Sequence, residues 1–304
     1  MQLIKAITMP RKTKFSTAKP KIVKSFQFAE KSIYGLKELQ LFFDRYRYSW
    51  DLAQSMNFEQ FIAEAKREIG LEEHIFNFPR QKKRLFSWGP NSFRELLLAL
   101  GPQAYFSHYS ALQIHNLTEQ LAASHYLSIE RKQPTVKTED IHQTAIDLAF
   151  KKAQRISTNF CQYKREQVFL LKSANQGQLG VEQLLLNDQE QLRVSNLERT
   201  LIDCSIRPAY SGGVLEIIKA FELAKEQLSI NRLTSYLKRM KLNYPYHQAI
   251  GFYLEISGYP QKDYEKILQR FNIEKRFYLN YQMKETSFSE KWQLFYPKHL
   301  IING

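Results

Sequence analysis

Residues 193–213 read RVSNLERTLIDCSIRPAYSGG, a helix start, an amphipathic helix, a stop and a turn in immediate succession. Ser195 followed by Glu198 has the S-x-x-E spacing of a capping box, in which the hydroxyl takes the backbone N–H three residues on and the carboxylate reaches back. Leu197, Leu201, Ile202 and Ile206 recur at helical spacing and predict one buried face. Arg199 and Asp203 stand at i, i+4, so an ion pair along the helix accounts for them better than a catalytic cluster does. Pro208 stops the helix, and Ser211-Gly212-Gly213 turns the chain into a second one with Val214, Ile217, Ile218 and Phe221 on one face.

Outward from this stretch, extended and helical patterns alternate. Upstream, strands are expected at 125–132, 167–172 and 180–186, with 191–194 leading into the helix and with helices at 93–100, from about 107, and at 139–152. Downstream, helices are expected around 233–240, 249–256 and 264–271, followed by an extended, aromatic-rich tail. The 304 residues suffice for about two domains. Apolar residues at 43% and charged residues at 24% describe a globular protein. The expected organisation is α+β throughout: a basic flexible arm over 1–25, a winged helix-turn-helix domain over 26–92, and a larger mixed α+β domain over 93–304.

The formal net charge is +14, and residues 1–100 carry 18 Lys and Arg against 10 Asp and Glu, a balance of +8. Such an excess points to a polyanionic partner, because neutralised phosphates release counterions. The arm contributes Lys5, Arg11, Lys12, Lys14, Lys19, Lys21 and Lys24. Cys161 and Cys204 are too few and too distant for a disulfide framework or a metal motif, which fits a reducing cytoplasm. No run approaches the roughly 18 apolar residues of a membrane span, and the N-terminus lacks a signal-peptide apolar core, so a cytoplasmic protein without a membrane partner is expected.

Within 26–92, Leu36, Leu39, Phe42 and Phe43 form a helical stripe. Asn57 is a plausible N-cap for a helix through Phe58, Phe61, Ile62 and Ala65 to Ile69, with Gly70 as its stop. Extended residues 74–78 and 84–88 flank a charged turn at 79–83 and read as a hairpin, the wing. Arg80, Lys82, Lys83 and Arg84 cluster there as phosphate contacts. If all four meet phosphates, their share of the salt dependence of binding is a log–log slope of about −3.6. Gln60, Lys66 and Arg67 on the preceding helix are the candidate groove-facing residues, since amide side chains read adenine and arginine reads guanine. Glu59, Glu64 and Glu68 on that helix oppose a phosphate surface.

No nucleotide loop, nucleophile elbow or histidine metal motif occurs, and neither a catalytic residue, a metal nor a cofactor is expected. Glu216 with Lys219 and Glu222 with Lys225 suggest a nuclease only superficially, because both pairs lie on one amphipathic helix and read as surface ion pairs.

Three segments together resemble the AbiEi family of antitoxins. The first is ERTLID, RP and GG within 198–213. The second is YFSHYSAL at 105–112 followed by HNLT at 115–118, where Asn116 stands at a position the family fills with glycine. The third is AIGFYLE at 249–255, with Ala249 in place of the family's arginine. This resemblance implies a non-enzymatic, DNA-binding antitoxin that represses its own operon through upstream repeats of double-stranded DNA. It further implies a toxin of nucleotidyltransferase type, opposed without a stable complex between the two proteins. The alternative readings are a restriction-type nuclease and an RNA-binding protein.

Overall fold

The computed structural model describes residues 13–121, 123–133, 141–187 and 190–300. Among the described residues, those up to Leu100 other than Phe78–Arg80 form one compact unit, and Phe78–Arg80 with those from Gly101 form another.

The first unit runs α1 (Lys14–Gln27), β1 (Ile33–Gly35), α2 (Leu36–Tyr46), α3 (Phe58–Glu68), β2 (Glu72–Phe78), β3 (Gln81–Ser87) and α4 (Phe93–Leu98). The segment expected to be a flexible arm is helical from Lys14. Phe15, Ala18, Ile22 and Phe26 recur every three or four residues and are buried, so this helix belongs to the core. Lys5, Arg11 and Lys12 of that arm lie outside the described residues. Between α2 and α3 the backbone is irregular but anchored: Trp50 stacks between Tyr46 and Phe61 at 5.8 and 5.5 Å, and its indole N–H donates to Ser25 Oγ at 2.9 Å. Asn57 caps α3 as expected, in a reciprocal box with Gln60. The strands order as β1-β3-β2, with β1 antiparallel to β3.

Two boundaries differ from expectation. The hairpin turns at Pro79-Arg80 alone, because β3 already begins at Gln81; Lys82, Lys83 and Arg84 are strand residues. The unit boundary falls at Gly101 rather than at residue 93, and α4, opened by its own Ser92–Glu95 capping box, stays with the first unit.

The second unit is built on a six-stranded mixed sheet with helices and a small second sheet. Its elements are β4 (Tyr105–Phe106), α5 (His108–Ile114), β5 (Ser124–Glu130), α6 (Gln143–Lys151), β6 (Phe160–Tyr163), β7 (Glu166–Ser173), β8 (Val181–Leu186) and β9 (Glu190–Ser195). There follow α7 (Leu197–Ile206), α8 (Val214–Ala224), α9 (Ile230–Met240), α10 (Tyr246–Ile256), α11 (Gln261–Arg270), β10 (Phe277–Tyr278), β11 (Thr286–Ser289) and β12 (Leu294–Pro297). The large sheet orders β6-β7-β5-β4-β9-β8, with parallel pairs β5–β7 and β4–β9.

The opening stretch of the sequence forms α7, but its start is not the expected box. Ser195 ends β9, and its buried hydroxyl meets Thr200 Oγ1 at 2.8 Å. Asn196 is the N-cap and accepts the Arg199 N–H. Glu198 is freed from that task and accepts the Ser229 N–H at 3.0 Å at the start of α9, where the helix dipole favours a carboxylate. Arg199 and Asp203 do pair, at 2.9 Å and almost wholly buried; the guanidinium also donates to the Leu179 carbonyl and to Tyr105 Oη. Gly180 (φ +69°) lies against this pair: a Cβ there would stand 2.8 Å from Arg199 Cβ and from the Tyr236 ring. Glu216 is also not the surface partner of Lys219. It is buried and accepts from Thr118 Oγ1 and Gln120 Nε2, whereas Lys219 pairs with Glu119.

Asn116 adopts the left-handed geometry its resemblance to a glycine position suggested, at φ +57°. Gly251 is required by contact rather than by conformation, since a Cβ there would overlap the Trp292 ring at 2.1 Å.

His108 opens α5 with φ +52°, buried, its Nδ1 2.9 Å from Ser107 Oγ and its ring edge-on to Tyr210. Burial, against the pull of Asp203 and with help from Arg207 and Arg199, lowers its pKa to about 4. The unfolded chain therefore binds a proton near pH 6.5 that the folded chain refuses until about pH 4. Stability is fully present above pH 6.5 and falls by about 3 kcal/mol as pH drops through this window. Urea unfolding of wild type and His108→Asn, whose side chain tolerates left-handed backbone, at pH 7 and pH 4.5 checks this. Wild type should lose more stability on acidification than the variant; equal losses would remove His108 from the acid response.

Candidate nucleic-acid interface

The residues expected to meet nucleic acid lie on α3 and on the β2–β3 hairpin, of which the tip, with Arg80, groups with the second unit and the rest with the first. The buried face of α3 is Phe61, Ile62 and Ala65, which leaves Gln60, Lys66 and Arg67 exposed on the others. Each exposed side chain has a local task. Gln60 Oε1 accepts the Asn57 N–H, Lys66 pairs with Glu73 on β2 at 2.8 Å, and Arg67 pairs with Glu64 and Glu68. The carboxylates that opposed a phosphate surface in the sequence are thus matched by cations of the same fold.

The four wing cations separate into two kinds. Arg80, in the turn, and Lys82, on an exposed position of β3, have no hydrogen-bond or ion-pair partner among the described residues. Lys83 is half-buried and donates to the Leu100 carbonyl; burial pushes its pKa down. Arg84 bridges Glu59 of α3 at 3.1 Å and Glu73 of β2 at 2.8 Å, and lies over the Phe86 ring. The hydrogen bond it donates to the Glu59 carboxylate is the main reason its pKa is raised. Lys83 and Arg84 therefore tie the hairpin to its own unit, and Arg80 and Lys82 are the cations it offers to a partner. Lys14, Lys37 and Arg45, which no motif singled out for binding, are also exposed and lack a carboxylate partner among the described residues.

The acceptor common to Lys66 and Arg84 was not identified from sequence. Glu73 looked like one acid among several, yet the strand places it opposite both cations. A period-two reading of β2 could have put it on the same face as Ile75 and Asn77, away from the buried His74, Phe76 and Phe78. Burial by itself would raise the Glu73 carboxyl, but hydrogen bonds from Lys66 and Arg84 hold it below the usual carboxylate range.

Among the described residues, no group of three or more His, Cys, Asp or Glu is placed to hold a metal ion, and no helix is long and apolar enough to cross a membrane. No protein-family model matches the chain, and no curated protein matches it in sequence. In fold it is similar to the crystal structure of the RV2827C protein from Mycobacterium tuberculosis, with a TM-score of 0.57, covering 92% of this chain and 91% of that one at 14% identity. The likeness extends over both units and is one of mixed α+β architecture.

Glu73→Gln keeps the shape of this junction and removes its charge. The variant should be less stable than wild type by about 1 kcal/mol at pH 7. A carboxyl held low in the fold contributes above its ordinary value of 4.5, and that contribution is lost as pH falls through the lower folded value. The difference between the two proteins in urea unfolding should therefore shrink on acidification from pH 5. A difference that is absent at pH 7, or that grows in acid, would contradict the junction.

Proposed function

We propose that this chain is a cytoplasmic, double-stranded DNA-binding antitoxin of the AbiEi kind that represses its own operon and opposes a nucleotidyltransferase-like toxin. The observation that carries the DNA-binding half is the order of the elements from α1 to β3: helix, strand, helix, helix, strand, strand, with β3 between β1 and β2 and unpaired cations on the β2–β3 hairpin. That order supports a winged helix-turn-helix, in which α3 is the recognition helix and the hairpin the wing.

On this reading Arg80 and Lys82 hold phosphates and fix register, a role that needs charge but no sequence discrimination. Gln60, Lys66 and Arg67 face a groove; the Asn57 N–H keeps Gln60 ordered, and carboxylates keep Lys66 and Arg67 ordered until bases or phosphates replace those partners. Such an exchange costs little net electrostatic energy, since exposed ion pairs are worth about 0–1 kcal/mol. Glu216, the carboxylate that could have served a nuclease, is buried and already engaged by Thr118 and Gln120, which favours the non-enzymatic reading. The antitoxin half rests on the resemblance of the three sequence segments to the family.

Binding of duplex DNA from upstream of the chain's own reading frame, followed by anisotropy across salt, tests the first half. The variant Arg80→Ala with Lys82→Ala should have a log–log slope shallower than wild type by about 1.8, from roughly −0.9 per phosphate, rather than the larger change expected of four contacts. An unchanged slope would remove the hairpin from DNA binding. Co-expression with an adjacent nucleotidyltransferase reading frame tests the second half: growth should be restored, and no stable complex should co-purify. Growth arrest undiminished by the full chain would overturn the antitoxin reading without touching DNA binding.

A further inference from the structure

The second unit carries a cleft of about 520 Å³ between the C-terminal end of α9, the start of α10 and the chain leaving α11. Its size lies within the roughly 300–1,000 Å³ of small-molecule sites. The lining combines three different chemistries. Lys238, Lys241 and Arg270 are exposed side chains with no ion-pair partner among the described residues, and Glu274 is the single carboxylate of the lining. Lys241 holds a left-handed backbone (φ +47°) at the end of α9, a position usually given to glycine, so a charged side chain is kept there against local preference. The first turn of α10 also opens on the cleft, and its dipole adds to the positive sign.

Aromatic surface forms the second part. Tyr244 lines the cleft, as does Phe271, whose ring stacks on His247 at 4.9 Å and 16°. The third part is Gln248, which is fully buried. Its amide nitrogen donates to the Lys275 carbonyl at 2.8 Å and the Trp292 carbonyl at 2.6 Å, and its Oε1 is buried without a donor.

An inorganic anion would use only the cations, and an apolar ligand only the rings. We propose that the cleft binds a nucleoside triphosphate, its phosphates on Lys238, Lys241 and Arg270 and its base against Tyr244 and Phe271. Gln248, bonded to the Lys275 and Trp292 carbonyls, ties the start of α10 to the chain beyond α11 and so fixes the walls that the base packs between. The site lies within the second unit and does not depend on the DNA-binding reading.

Calorimetric titration of the full chain with ATP, GTP, inorganic tripolyphosphate and a short single-stranded oligonucleotide tests the inference. One saturable site per chain is expected for at least one nucleoside triphosphate, at least tenfold tighter than tripolyphosphate. Lys238→Ala combined with Arg270→Ala should weaken it at least tenfold. Both residues are exposed, and circular dichroism checks that the fold is retained; Lys238→Ala alone provides a milder variant. The hairpin variant Arg80→Ala with Lys82→Ala should bind nucleotide as wild type does, which separates this site from the DNA surface. Absence of saturable binding, equal affinity for tripolyphosphate, or indifference to the cleft variants would overturn the proposal. So would an oligonucleotide that binds the cleft more tightly than any free nucleotide, because the cleft would then belong to a nucleic-acid strand.

Discussion

The ion pair between Arg199 and Asp203 is the interaction around which the second unit is arranged. Both charges are withdrawn from water, and the guanidinium spends its remaining donors on Leu179 and Tyr105. Leaving either charge alone in such a place costs about 3–5 kcal/mol, so the surrounding chain must keep both. That requirement reaches far. Tyr105 comes from β4, Leu179 from the turn before β8, and Gly180 must lack a side chain for the turn to approach α7 at all. His115 adds a second tie, its Nε2 lying 2.7 Å from the Ser195 carbonyl. Two of the sequence segments that resemble one family are thus in direct contact, and their shared residues are architectural.

A similar economy of charge operates in the first unit, with the opposite consequence. There the carboxylates of α3 and β2 are taken up by Arg67, Lys66 and Arg84, which ties helix to hairpin. What the hairpin leaves unmatched, Arg80 and Lys82, is positive. A surplus of cations in a sequence therefore says less about binding than the subset that the fold leaves unmatched.

Much of the fold was legible where the deciding signals are local. Asn57 as the cap of α3, Gly70 after it, the left-handed Asn116 and the pairing of Arg199 with Asp203 all depend on neighbours within a few residues. Failures came where a distant partner competed with a local rule. Ser195 and Glu198 have capping-box spacing, but strand β9 runs through Ser195 and α9 claims Glu198. The basic residues before Arg84 resembled a turn because charge is common in turns, although β3 begins at Gln81 and takes Lys82 and Lys83 into a strand. Helix α1 was hidden by Pro20 and by its lysines, which outnumber the buried Phe15, Ile22 and Phe26 that place it in the core. The cleft beside α10 left no signal at all, since its lining comes from segments that only the tertiary fold brings together.

The slot in α10 at Gly251 has a consequence for the order in which the molecule can be completed. The ring that fills it belongs to Trp292, whose indole N–H also donates to Glu255 one turn further along the same helix. Helix α10 leaves the ribosome about forty residues before that ring, at a synthesis rate of about 5–20 residues per second, and for several seconds its packing face is open. The cluster around Trp50 and Phe61 is drawn from residues 15–88 and can close much earlier. During translation the two halves are therefore unequally exposed to chaperones and proteases, and the half that matures late is the one built around buried charge.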